Sequence, residues 1–241
     1  MPRAQADVGN RWTLAADSTI DHLASHPSSR PDLTFLAGFD GTTTSDVSGH
    51  LACFAGGNFI LGGLVLNEQR YIDFGLELVA GCEETYNQVW NRTCTQATQK
   101  HMLTSVGIKT LTSIGPEQFG WNSADVPNDQ RDFYDRAGYY IINGVYILRP
   151  EVVESFYYAY RATGDSKYQD VSYDITGNPL NWKRSTNASS TQWAWNAFKA
   201  INSTCYVGSG YSEIDNVNAT NGGGFENFQD SFLFAEVLKY R

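Results

Sequence analysis

Apolar positions recur at helical spacing along most of the chain, and polar or glycine-rich stretches separate the periodic segments. An amphipathic helix runs from Trp12 to Ala24 and ends at His26-Pro27, where proline forbids continuation. Residues 30–48 carry Pro, Gly, Thr and Asp and read as a loop. His50 to Val65 predicts a helix, or a pair of helices, built from small and apolar residues. Glu68 to Tyr86 places Ile72, Phe74, Leu76, Leu78 and Val79 as an amphipathic helix requires. Asn143-Gly144 leads into a helix from Pro150 to Thr163, with proline at its first position and Gly164-Asp165 beyond its last. Trp193 to Ser203 predicts another helix, a Gly/Asn loop follows, and Asp230 to Tyr240 predicts the last one. No run alternates apolar and polar residues as a half-buried strand would, so the class is all-α.

Composition narrows the function classes. The 241 residues suffice for one sizeable core, and nothing divides them into two domains. A net charge of −9 repels a phosphate backbone, so nucleic acid is not an expected partner. The longest apolar stretch, Phe54 to Leu66, is interrupted by glycines and too short to span a bilayer, so it reads as a buried helix. Aromatic residues make up 14% of the chain, which suits sugar binding but suits an ordinary core equally. The first residues lack the apolar core of a signal peptide. Sequons at Asn91, Asn187, Asn202 and Asn218, together with cysteines at 53, 82, 94 and 205, nevertheless fit a secretory-pathway or extracellular setting.

One motif suggests chemistry. In Leu148-Arg149-Pro150-Glu151-Val152-Val153-Glu154-Ser155, the proline sets the helix start, so Glu151 and Glu154 share a face within the first turns. The helix N-terminus favours carboxylate charge, and Arg149 stands beside it to hold the ionised form or a hydroxyl. An inverting glycosidase needs one carboxyl to protonate the leaving oxygen and a second to activate water on the opposite face of the sugar. A Pro-Glu-x-x-Glu run more often merely complements the helix dipole, so the motif alone does not establish catalysis.

Longer stretches carry a resemblance. YILRPEVVESFYYAYRATGDSKYQD (146–170), SGHLACFAGGNFILGG (48–63), SFLFAEVLKY (231–240) and IGPEQFGW (114–121) resemble, in the same order, the class I α-1,2-mannosidases of glycoside hydrolase family 47. The likeness is strongest to secreted fungal members and runs from about Arg11 to Tyr240 outside two segments. It implies an (α/α)7 barrel, of which this would be an incomplete C-terminal portion. It implies a monomer that hydrolyses terminal α-1,2-linked mannose of oligomannose N-glycans with inversion, using Ca2+ bound at the barrel floor. Glu151 matches the catalytic carboxylate favoured as general base, and Glu117 a second acidic active-site position. Arg149, Glu154 and Glu236 match positions around the substrate and the ion, Phe232 the aromatic under the mannose ring, and His50 an active-site histidine. Cys53 and Cys82 match the family disulfide, whereas Cys94 and Cys205 have no such match and residue chemistry leaves other pairings open.

The family pattern is not met throughout. Its early Glu and Asp carboxylates have no counterpart here, and the Asn-Thr-Glu-Ala-His-Pro segment whose Thr ligates calcium would lie beyond Arg241. No metal ligand is therefore assigned, and the 241-residue chain is expected to be inactive by itself. Asp230 and Ala55 replace an expected Glu and Asp. Residues 89–109 and 171–192 interrupt the resemblance, and removing them restores family spacing. Each begins with Val (codon GTN) and ends with Lys or Gln (codons that can end in AG), as a translated intron would. Two rival readings have different consequences: a catalytically dead mannose-glycan-binding protein, or the product of a gene fragment with no function.

Overall fold

Residues 3–87, 114–168 and 193–240 are described by the computed structural model, and both suspected inserts, 89–109 and 171–192, lie outside these residues with Cys94. The described residues form α1 (Arg3–Leu23), α2 (Phe54–Leu66), α3 (Gln69–Asn87), α4 (Arg131–Ala137), α5 (Glu151–Thr163) and α6 (Trp193–Cys205). Seven short strands accompany them: β1 (Ala24–Ser25), β2 (Phe35–Leu36), β3 (Gly38–Phe39), β4 (Thr44–Ser45), β5 (Val47–Gly49), β6 (Gln118–Gly120) and β7 (Tyr140–Asn143). β1 pairs with β2, β3 with β4, and β5–β6–β7 form an antiparallel sheet with Ser48 opposite Phe119 and Phe119 opposite Ile141. Helices dominate, as the pattern predicts. The stretch 30–48, expected to be loop, instead contributes three strands and part of a fourth. At two to four residues each, these strands are too short to show alternation.

Most helix bounds follow the local signals closely, but α1 starts at Arg3, nine residues ahead of the expected Trp12. Asn67 closes α2 in the left-handed conformation (φ 56°) and Gly164 closes α5 in the same way (φ 68°), each a common way to satisfy a final helical carbonyl. α5 begins at Glu151, one residue later than expected, and Pro150 stands just outside it. The predicted final helix, Asp230 to Tyr240, is corrected to a short π-helical turn, Leu233–Val237. Ahead of that turn, residues 211–228 double back on themselves, with Ile214 bridged to both Tyr146 and Phe225. No helix among the described residues is long and apolar enough to cross a membrane.

The packing of α2 fixes the site. This helix is apolar nearly all round and lies against both α3 and α5. A Cβ on Gly75 of α3 would come within 2.8 Å of the Gly56 carbonyl, so the two backbones cross where neither has a side chain. On its other side the Ser155 hydroxyl donates to the Cys53 carbonyl (2.7 Å) and accepts from the Gly57 N–H (3.1 Å). These bonds bring the start of α2 against the start of α5. The Cys53–Cys82 disulfide joins the segment ahead of α2 to α3. Cys205, at the end of α6, is a free buried thiol pushed up to about 12 by its burial.

Candidate active site

The mouth of α5 is built from three directions. β5 delivers His50, which opens a 3-10 turn, His50–Cys53, and whose N–H donates to the Glu117 carbonyl (3.0 Å). Glu117 precedes β6 and is itself held by its N–H on the Val145 carbonyl (2.9 Å). The segment into α5 makes a sharp reversal at Leu148, fully buried with φ 65°. That conformation strains a leucine by about 1–3 kcal/mol and aims the next residue, Arg149, back across the helix mouth.

Arg149 grips Glu117 in a fork, Nη2 to Oε1 at 2.7 Å and Nε to Oε2 at 2.8 Å, and reaches Glu151 Oε1 at 3.4 Å. The Glu117 bond, chiefly, raises the Arg149 guanidinium above its ordinary value. His50 Nδ1 lies 3.0 Å from the other Glu151 oxygen, and its Nε2 lies 2.7 Å from the Tyr86 hydroxyl. His50 is 1% exposed and Glu151 7%. Burial pushes the Glu151 carboxyl up, but the hydrogen bond from His50, a backbone donor and Arg149 outweigh it, and the net shift is downward. Glu154, one turn on, has no such partners. Burial raises it and neighbouring Glu236 adds to the rise, against a hydrogen bond to Tyr240.

A cavity of about 840 Å3 opens over this mouth. Arg149, Glu151, Glu154, Phe232 and Glu236 line it, together with Leu51, Phe54 and Phe59. Five of the seven candidate residues thus share one cavity. The remaining two stand behind it, His50 on Glu151 and Glu117 on Arg149. Tyr86 and Tyr146 were not among the candidates, although both rings lie within 6 Å of His50, at 5.7 and 5.8 Å between centroids. Each occupies an apolar position in its own segment, and no sequence signal marks its hydroxyl.

The profile of Glycosyl hydrolase family 47 matches residues 1–181 and 180–241. The chain belongs to glycosyl hydrolase family 47. Among its relatives in this family, a mannosyl-oligosaccharide alpha-1,2-mannosidase of Penicillium citrinum is 49% identical over 239 residues. The match takes in 99% of this chain and 38% of the relative. Mannosyl-oligosaccharide alpha-1,2-mannosidase 1B of Aspergillus oryzae is 48% identical over 239 residues, with the same coverage of 99% and 38%. The solved alpha-1,2-mannosidase from Trichoderma reesei superposes with a TM-score of 0.78 at 45% identity, covering 99% of this chain and 42% of that one. The chain therefore spans about 38–42% of the length of these family 47 relatives. Its helical architecture is that of the family's barrel in incomplete form.

Proposed function

We propose that the protein to which these 241 residues belong hydrolyses terminal α-1,2-linked mannose from oligomannose N-glycans with inversion, and that Glu151 is the general base. The observation that carries this reading is the buried Glu151 carboxylate, its pKa lowered at a helix mouth, lining the cavity. A base must be unprotonated and within reach of water, and a fixed carboxylate at a helix N-terminus meets the first condition. Arg149 and Glu154 bind substrate hydroxyls, Phe232 and Glu236 close the floor of the subsite, and His50 supports the base.

Glu117 has a different part. Both its oxygens accept from Arg149, so it orients the guanidinium. Because the family's early Glu and Asp carboxylates have no counterpart in it, the 241-residue chain is expected to release no mannose by itself. The donor set does not suffice for calcium, which takes six to eight oxygen ligands. Among the described residues, no three His, Cys, Asp or Glu side chains are grouped to hold a metal ion. No step is therefore assigned to calcium.

We also read residues 89–109 and 171–192 as translated introns. In support, the nearest described residues on either side of each meet in space. A Cβ on Gly115 would lie 2.7 Å from the Tyr86 ring, and the rings of Tyr168 and Trp193 are 5.0 Å apart. Each segment can be excised without separating its neighbours.

The test is stereochemical. The chain, alone and joined to the complementary part of the Penicillium citrinum relative, is incubated with α-1,2-linked oligomannose, and the first-formed mannose is followed by proton NMR. Release of β-mannose by the joined protein, lost in Glu151→Gln, is expected. Release of α-mannose first, or turnover that survives Glu151→Gln, would reject the assignment.

A further inference from the structure

We infer that Tyr86 is a positioning residue for Glu151: its hydroxyl donates to His50 Nε2 and fixes the imidazole in the tautomer whose Nδ1–H points at the carboxylate. The inference rests on the role proposed for Glu151, and its basis is donor and acceptor accounting in a site that solvent does not reach. His50 and Tyr86 are 1% and 3% exposed, so each polar atom depends on its protein partners. A neutral imidazole has one N–H and one lone pair. An ionised carboxylate only accepts, so the nitrogen 3.0 Å from Glu151 Oε2, Nδ1, must be the one that carries hydrogen. Nε2 is then a lone pair and needs a donor, and the Tyr86 hydroxyl at 2.7 Å supplies one. Tyr146, whose hydroxyl is also within hydrogen-bond reach of the Tyr86 hydroxyl, gives its own hydrogen to the Arg149 carbonyl at 3.1 Å.

The opposite tautomer would turn the Nδ1 lone pair onto the carboxylate. Relief would then require a proton between the two, on Nδ1 or on Glu151, and a protonated Glu151 cannot accept another from water. Tyr86 thus acts on the base through His50 without touching it. Burial raises the Tyr86 hydroxyl well above its ordinary value, so the proton it donates stays on the phenol. One covalent feature holds the pair in register. His50 lies three residues before Cys53 and Tyr86 four after Cys82, so the disulfide ties together the same two segments that the hydrogen bond joins. The other charged groups facing the ring are Arg149, at the mouth of α5, and Glu117, whose carboxylate is turned onto Arg149.

The test needs no turnover. Long-range 15N–1H correlation spectra of the 241-residue chain at neutral pH report which imidazole nitrogen is protonated. The His50 signals are assigned by their cross-relaxation with the Tyr86 ring. The Nδ1–H form should exceed the Nε2–H form by at least about tenfold, roughly the bias that one buried hydrogen bond sustains. Tyr86→Phe removes only the hydroxyl, and the excess should fall to less than about threefold while the fold, read by circular dichroism, persists. A wild-type His50 in the Nε2–H form, or protonated on both nitrogens, would overturn the inference even if Tyr86→Phe failed to fold. So would a folded Tyr86→Phe with an unchanged ratio. A failure to hydrolyse mannose would leave the tautomer result standing, so the two readings fail separately.

Discussion

Glu151 and Glu213 are buried to nearly the same extent, 7% and 9% exposed, yet they are driven in opposite directions. Glu151 sits in the first turn of α5 between an imidazole and a guanidinium, and its carboxyl is shifted downward. Glu213 lies in the doubled-back segment 211–228, where burial and a hydrogen bond to Asp230, with Glu226 nearby, push it up to about 7. Asp215 and Glu226 form a second acidic pair there, and Glu226 is also raised. Burial presses on both groups in the same sense, so the difference comes from the neighbours. A carboxyl kept ionised inside a protein needs donors aimed at it. A carboxyl among carboxyls shares protons instead.

The contrast can be broken at either end. The largest effect is expected at the ionised end. In the joined enzyme described above, Glu151→Gln keeps the shape of the side chain but cannot take a proton, and kcat should fall by about 10²–10⁴-fold with KM little changed. A change confined to KM would mean that Glu151 binds sugar without acting as the base. Next comes the staple behind it. Replacing Cys53 and Cys82 by Ala should cost about 3 kcal/mol in urea unfolding. A cost below about 1 kcal/mol would show that helix packing alone holds the ends of α2 and α3 together.

At the proton-sharing end, the sign reverses with pH. Because the folded Glu213 carboxyl is raised, its contribution to stability is present below the ordinary glutamate range and is lost as pH climbs towards about 7. Glu213→Gln should therefore gain roughly 1–3 kcal/mol at pH 8 and little at pH 4, measured by denaturant unfolding at both. For Glu151 the lowered carboxyl works the other way, contributing above the ordinary range and losing that contribution as pH falls through the folded value. Equal effects of Glu213→Gln at the two pH values would remove the contrast.

The smallest effect is expected from deleting residues 89–109 and 171–192 together. Since their flanks already meet, stability should change by less than about 1 kcal/mol. Spliced cDNA should lack both segments, and transcripts that retain them would count against the intron reading.

Most of the helices were legible in the sequence because their ends carry explicit chemistry. Pro150 and Gly164 bracket α5, and the expected Glu68–Tyr86 helix is displaced by only one residue, to Gln69–Asn87. The sheet was not legible. Its three strands come from residues 47–49, 118–120 and 140–143, and each depends on partners far away in the chain for its pairing. The short helix α4, Arg131–Ala137, went unmarked because seven residues give barely two turns of periodicity. The final turn was misjudged because SFLFAEVLKY has helical spacing, while the structure widens residues 233–237 into a π turn that holds Phe232 and Glu236 on the cavity. For the site, family motifs identified the residues that face sugar. Tyr86 escaped notice because its role depends on a histidine 36 residues away, and the geometry alone reveals it.

The central claim is that Glu151 remains a carboxylate inside the protein because His50 and Arg149 hold it so. The direct measurement is a 13C titration of the glutamate side-chain carboxyls in the folded 241-residue chain, with Glu151 and Glu213 assigned by their Gln variants. Glu151 should titrate below the ordinary glutamate range and be fully ionised where Glu213, near 7, is still taking up protons. A Glu151 that titrates together with Glu213, or above it, would contradict the account.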